Sequence, residues 1–155
     1  MAARTAQLGC HMLLTGTYPR TLDDKNRLAL PKRAREQLAD PEKLFVTPGK
    51  DQCLWLFTQE ALDQFATQLD QAPETDAEVL LFRRLFFPQI EEVDVDANGR
   101  ILVPDRLLRE AGLQHEVVLL GVRNHLELWD AARWQSYERE NAARFDAVAE
   151  RAFRK

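Results

Sequence analysis

Serine is nearly missing from this chain: Ser136 is the only one in 155 residues. It falls inside a stretch with helical spacing, so a serine-nucleophile triad has no candidate. Cysteine and histidine are scarce too, with two and three copies. Cys10 and Cys53 stand alone, without the paired spacing of a metal or redox site. His11, His115 and His125 are scattered, and none has the i, i+4 spacing of a helical metal site. Gly49 and Gly121 are isolated, so no glycine-rich phosphate loop is present. No run approaches the ~18 apolar residues of a membrane span. The longest candidate, 79–87, carries Arg83 and Arg84 in its middle. The first ten residues lack the apolar centre of a signal peptide. These absences argue against an enzyme: no catalytic residue, metal, cofactor, small-molecule substrate or membrane is expected, and the cytoplasm is the simplest location.

What is present is a soluble composition, 45% hydrophobic and 30% charged, with a formal net charge of −4. The distribution of that charge matters more than its sum. From Met12 to Leu38 six bases (Arg20, Lys25, Arg27, Lys32, Arg33, Arg35) face three acids. From Gln59 to Leu80 there are six acids and no Lys or Arg. The first part of the chain is therefore basic and the middle acidic. Solvated faces alone account for many such runs.

The strongest signal is an internal repeat. Asp96-Ala97-Asn98-Gly99-Arg100-Ile101-Leu102-Val103-Pro104 reads as a tight turn, a short apolar strand and a proline stop. Asn-Gly is a strong hairpin signal because both residues tolerate positive φ. The same pattern stands 73 residues upstream, at Asp23-Asp24-Lys25-Asn26-Arg27-Leu28-Ala29-Leu30-Pro31. Arg33 and Arg106 keep that spacing, and Gly49/Gly121, Leu54/Leu126 and Leu56/Leu128 follow at 72. Each copy spans only about 45 residues, too few for a sufficient core, so the two should bury their apolar faces against each other.

In chain order, the pattern predicts a strand over 13–22 broken by an edge-type proline at Pro19, the first turn, and a short helix over 32–39. A strand pair over 44–47 and 53–57 follows. Thr58 should cap a helix to about Leu69. Asp76 should start another, apolar on more than one side and so deeply packed, ending at Pro88. The second copy predicts its turn at 96–100, a short helix over 105–111 stopped by Gly112, and strands over 117–122 and 126–129. Asp130 should cap one long final helix, whose stripe of Trp134, Tyr137, Phe145, Val148 and Ala152 should pack on the protein's own body.

The doubled turn-Arg-apolar-Pro pattern, with Leu54-Trp55-Leu56-Phe57 and Leu126-Glu127-Leu128-Trp129-Asp130 closing the copies, resembles the MraZ family of bacterial transcriptional regulators. The likeness runs from about Met12 to the last helix, with Thr15-Gly16-Thr17-Tyr18 as the opening strand; Asn26 stands where the family commonly has Gly. Residues 1–11 look like an extension without a family counterpart, and translation from Met1 or from Met12 both fit. The resemblance implies a mainly β fold with helices (α+β): two AbrB-like swapped-hairpin β-barrel repeats in pseudo-twofold arrangement. It divides the chain into 1–11 (a mobile arm), 15–62 (first repeat), 63–88 (helical connector), 89–132 (second repeat) and 133–155 (C-terminal helix).

It further implies a nucleoid-associated regulator that binds double-stranded promoter DNA. The target would be short repeated G-rich boxes ahead of the division and cell-wall gene cluster, which includes the regulator's own gene. Homo-oligomeric rings would present many binding patches. By position, the DNA-binding residues would be Lys25 and Arg27, with Arg100 as the weaker equivalent. The residues themselves leave an alternative open. Asp23 and Asp96 each precede their arginine by four positions, and each pair could simply close its turn. An oligomeric protein-interaction module without DNA affinity, its first-repeat bases meeting the acidic connector of a neighbour, is the competing function.

Overall fold

The computed structural model describes residues 12–73 and 75–154. The expected N-terminal extension lies outside the described residues. The first repeat runs β1 (Thr17–Thr21), β2 (Arg27–Ala29), α1 (Lys32–Gln37), β3 (Lys43–Pro48), β4 (Leu54–Phe57) and α2 (Gln59–Asp70). Next come α3 (Ala77–Phe86) and a 3-10 turn, Phe87–Gln89. The order then recurs as β5 (Glu91–Asp94), β6 (Arg100–Leu102), α4 (Asp105–Glu110), β7 (Glu116–Gly121), β8 (Leu126–Asp130) and α5 (Ala131–Asn141). A second 3-10 turn, Ala142–Arg144, leads into α6 (Phe145–Phe153).

Local chemistry sets these boundaries. Orphan N–H groups at a helix start need acceptors. The Thr58 hydroxyl accepts from the Ala61 N–H, Asp76 from Glu78 and Val79, and Asp130 from Arg133. Pro31 and Pro104 stand just before α1 and α4, where no backbone donor is required. The opening strand is shorter than the 13–22 expected, because Gly16 at φ +106° interrupts it and Leu14 makes only an isolated bridge to Arg123.

Strand pairing is exchanged between the repeats. A six-stranded antiparallel sheet has the order β1-β7-β8-β4-β3-β5, and β2 and β6 form a separate two-stranded ribbon. The first strand of each repeat thus pairs with the third strand of the other, β1 with β7 and β5 with β3. Repeat-equivalent residues face each other at two places, Leu28 opposite Ile101 and Trp55 opposite Glu127. Self-pairing of equivalent positions is what a twofold relation between halves produces.

The barrels expected from the sequence do not close. Among the described residues β1 and β5 are edges that do not pair with each other. β1 carries Pro19, which has no N–H to give a further strand, and β5 carries Glu91, Glu92 and Asp94. The turns at 23–27 and 96–100 swing the chain out of the large sheet, so β2 and β6 find each other instead.

One core serves both repeats. Leu28, Leu30, Leu44, Val46, Leu54 and Leu56 of the first pack with Ile101, Leu107, Leu119, Leu126 and Leu128 of the second. Fully burying one such side chain contributes about 1.5–3 kcal/mol. Neither repeat owns this core, so each depends on the other for burial of its apolar face.

Two helical expectations fail. α3 is not deeply packed: Phe86 is its one buried residue among those described, and Leu81 and Leu85 are exposed. The last helix is two segments, and its stripe divides. Trp134 meets Trp129 edge-on and Tyr137 meets it tilted, whereas Phe145 is 74% exposed and Val148 also faces out.

Candidate nucleic-acid interface

The two turns are built alike. The Asn26 N–H donates to the Asp23 carbonyl at 3.0 Å, and the Gly99 N–H to the Asp96 carbonyl at 2.9 Å. Only the last residue of each loop is left-handed, Asn26 at φ +61° and Gly99 at +74°. The Asn98-Gly99 dipeptide is therefore not the two-residue turn its chemistry predicts; Asn98 keeps negative φ, as in a type I turn followed by one left-handed residue.

Each aspartate side chain then ties its turn to its arginine. Asp23 Oδ1 accepts from the Lys25 and Arg27 backbone N–H groups at 2.9 and 2.8 Å, and Oδ2 accepts from Arg27 Nε at 2.7 Å. Asp96 does the same with Asn98, Arg100 and Arg100 Nε at 2.8, 2.9 and 3.1 Å. The Arg27 backbone N–H, then its guanidinium and the Lys25 N–H, hold the Asp23 carboxyl below its ordinary range despite some desolvation. The Arg100 backbone N–H, the Asn98 N–H and the Arg100 guanidinium do so for Asp96. So the turn-closing pairs left open by the sequence exist. They do not exhaust the arginines, because each bond engages Nε and no described residue accepts from the terminal nitrogens of Arg27 or Arg100.

The ribbon brings both arginines onto one surface. Alternation along β2 and β6 buries Leu28 and Ile101 and turns Arg27, Ala29, Arg100 and Leu102 outward. Arg27 stands opposite Leu102, and Arg100 opposite Ala29. Arg27 and Arg100 are thus diagonal neighbours, with Cα atoms roughly 7–8 Å apart. Neither guanidinium is sealed in the interior; their side chains are 32% and 31% exposed. Lys25 is exposed at the first turn, and no described carboxylate pairs with its ammonium. Each left-handed residue also accepts a hydrogen bond across the ribbon, Asn26 from Val103 and Gly99 from Leu30. The platform is therefore fixed from both repeats.

Arg35, which the sequence places on a helix surface as either a further phosphate contact or a solvated base, belongs to this region. A Cβ at Gly99 would lie 2.8 Å from Arg35 Nε, so the stem of Arg35 lies over the second turn. That Nε is buried without an acceptor among the described residues. Its equivalent 73 residues on is Leu108, a core residue. The mismatch between the copies was visible in the sequence, but the contact crosses repeats and no local pattern reports it. Of the other two helix bases, Arg33 reaches the Thr15 hydroxyl at 3.4 Å and Lys32 is exposed.

The same twofold relation places a polar cluster on the large sheet, at Trp55 and Glu127. Glu127 Oε2 accepts from Trp55 Nε1 at 3.1 Å and contacts His125 Nε2 at 3.0 Å, while Oε1 accepts from Trp129 Nε1 at 3.0 Å. Burial raises the Glu127 pKa, but bonds from His125, Trp129 and Trp55 outweigh it, and the net shift is downward. Cys53 is buried, which pushes its thiol well up and away from nucleophile chemistry. Among the described residues no His, Cys, Asp and Glu cluster could hold a metal, and no helix is long and apolar enough to cross a membrane.

A planar guanidinium can hold a phosphate or bind guanine O6 and N7. A two-stranded ribbon fits the major groove of B-DNA. Comparison with known proteins bears on this geometry. The family model described as "MraZ protein, putative antitoxin-like" matches the chain twice, over residues 13–85 and 86–155. A protein named transcriptional regulator MraZ from Moorella thermoacetica is 37% identical over 139 residues, covering 90% of this chain and 96% of that one. Its namesake in Acetivibrio thermocellus is 37% identical over 136 residues, with 88% and 94% covered. The one in Saccharopolyspora erythraea is 42% identical over 125 residues, with 81% and 86% covered.

Proposed function

The chain belongs to the MraZ family, and from that premise we propose that it is a sequence-specific DNA-binding regulator of transcription. The observation that carries this reading is the outward face of the β2–β6 ribbon, where Arg27 and Arg100 stand on one rigid surface. Asp23 and Asp96 hold these arginines by Nε and leave their outer donors to a partner. A side chain fixed before it meets DNA loses less entropy on binding. Lys25 adds an exposed charge beside Arg27, and Arg35 adds one at the other turn. The target is double-stranded promoter DNA with short repeated G-rich boxes ahead of the division and cell-wall genes, the regulator's own gene included. The site of action is the cytoplasm, at the nucleoid.

One ribbon offers few contacts, so we further propose assembly into homo-oligomeric rings, in which linked patches raise one another's effective concentration. The exposed Leu81 and Leu85 of α3 and the exposed Phe145 and Val148 of α6 support that reading, since apolar rows on two separate helices suit contacts between copies.

The test is titration of duplex from upstream of the chain's own gene against a scrambled duplex. Arg27→Ala is expected to lose about 1–3 kcal/mol of box affinity with its melting temperature nearly unchanged. Lys25→Ala is expected to lower the slope of affinity against salt by about one unit. Equal affinities for wild type and Arg27→Ala would remove the ribbon from the mechanism.

A further inference from the structure

The two halves of the ribbon face are not equal. The outward residue opposite Arg100 is Ala29, while the one opposite Arg27 is Leu102, 58% exposed. Ala29 and Leu102 are repeat equivalents, so the twofold relation of the backbone is broken in the side chains. The turns differ likewise, with Lys25 where the second copy has Asn98. Leu102 is also the one large exposed apolar side chain within a described β-strand.

Directly opposed residues on one face have Cβ atoms about 4.5–5.5 Å apart. Whatever Arg27 touches, Leu102 therefore touches or adjoins. A duplex rises about 3.4 Å per base pair, so a separation of about 4.5–5.5 Å places Leu102 over a neighbouring base pair, about one to two steps from the base under Arg27. The apolar group that a base edge offers in the major groove is the thymine 5-methyl.

We propose that Leu102 is a specificity residue that reads the 5-methyl group of a thymine next to the base under Arg27. This rests on the DNA-binding reading above. Because the Ala29 side chain has three fewer carbons, the other half of the ribbon makes no equal contact. Each ribbon therefore reads its box in one orientation.

The experiment uses full-length protein and promoter duplexes in which each thymine in turn is replaced by deoxyuridine, which lacks the methyl. Wild type is expected to lose about four-fold in affinity at one thymine of a box, the worth of one buried methyl. Leu102→Ala should bind the thymine duplex as weakly as wild type binds that uracil duplex, and should lose nothing more on replacement. Leu102→Met, which keeps apolar reach, should restore the preference. A Leu102→Ala protein that still loses four-fold at the same thymine overturns the assignment, as does wild-type binding that is tight but indifferent to every methyl. Absence of any wild-type complex overturns the DNA-binding reading and this assignment with it.

Discussion

At the scale of single residues, a short aspartate-to-arginine loop is rigid and still offers charge. The Asp23 side chain accepts three hydrogen bonds within its own turn, one of them from Arg27 Nε. An exposed ion pair of this kind contributes little stability by itself, so its value lies in orientation. The repeat and the turns were legible in the sequence because turn chemistry is local; the DNA-binding roles of Lys25, Arg27 and Arg100 came only with the family resemblance. The backbone type was not, since Asn98-Gly99 and Lys25-Asn26 must both fit one loop and only the last residue is left-handed. This gives a paired prediction. Gly99→Ala must hold a Cβ at positive φ beneath Arg35 and should destabilise by about 1–2 kcal/mol in urea unfolding. Asn26→Gly, at the equivalent position, should stay within about 0.5 kcal/mol of wild type. Equal losses in both would show that the loops are not equivalent.

Elements tell a different story, because their partners are distant in sequence. Strand positions were close to readable, as were the caps Thr58, Asp76 and Asp130. Which strand pairs with which was not readable from periodicity, since exchange between repeats leaves the alternation of every strand unchanged. The packing of α3 and α6 was misjudged for a related reason: apolar spacing says that a face is to be covered, not by what. α3 gives the core Phe86 and leaves Leu81 and Leu85 outside. If these leucines join copies, the double variant Leu81→Glu, Leu85→Glu should fall to a smaller species in light scattering while its melting temperature measured as that species holds. An unchanged particle mass would move the joint elsewhere.

For the molecule as a whole, the two repeats share one core and should unfold together. Asp23, Asp96 and Glu127 all have lowered folded-state values relative to ordinary ones of 3.8, 3.8 and 4.5. Between folded and unfolded values the unfolded chain binds more protons, so stability rises with pH there. Their contribution is present above the unfolded values and is lost as pH falls through the folded ones. The urea midpoint should therefore hold down to about pH 5 and decline below about pH 4; an unchanged midpoint at pH 3 would contradict this. The acidic net charge of −4 does not oppose the proposed DNA binding, because the stretch from Gln59 to Leu80 carries six acids and no Lys or Arg and the ribbon carries cations. The most direct measurement of where a duplex sits is photo-cross-linking from a benzoylphenylalanine placed either at Ala29, on the outward face of the ribbon, or at Gln68, exposed on α2. The account predicts a protein–DNA adduct from position 29, competed away by unlabelled box duplex, and none from position 68. An adduct from 68 with none from 29 would contradict it.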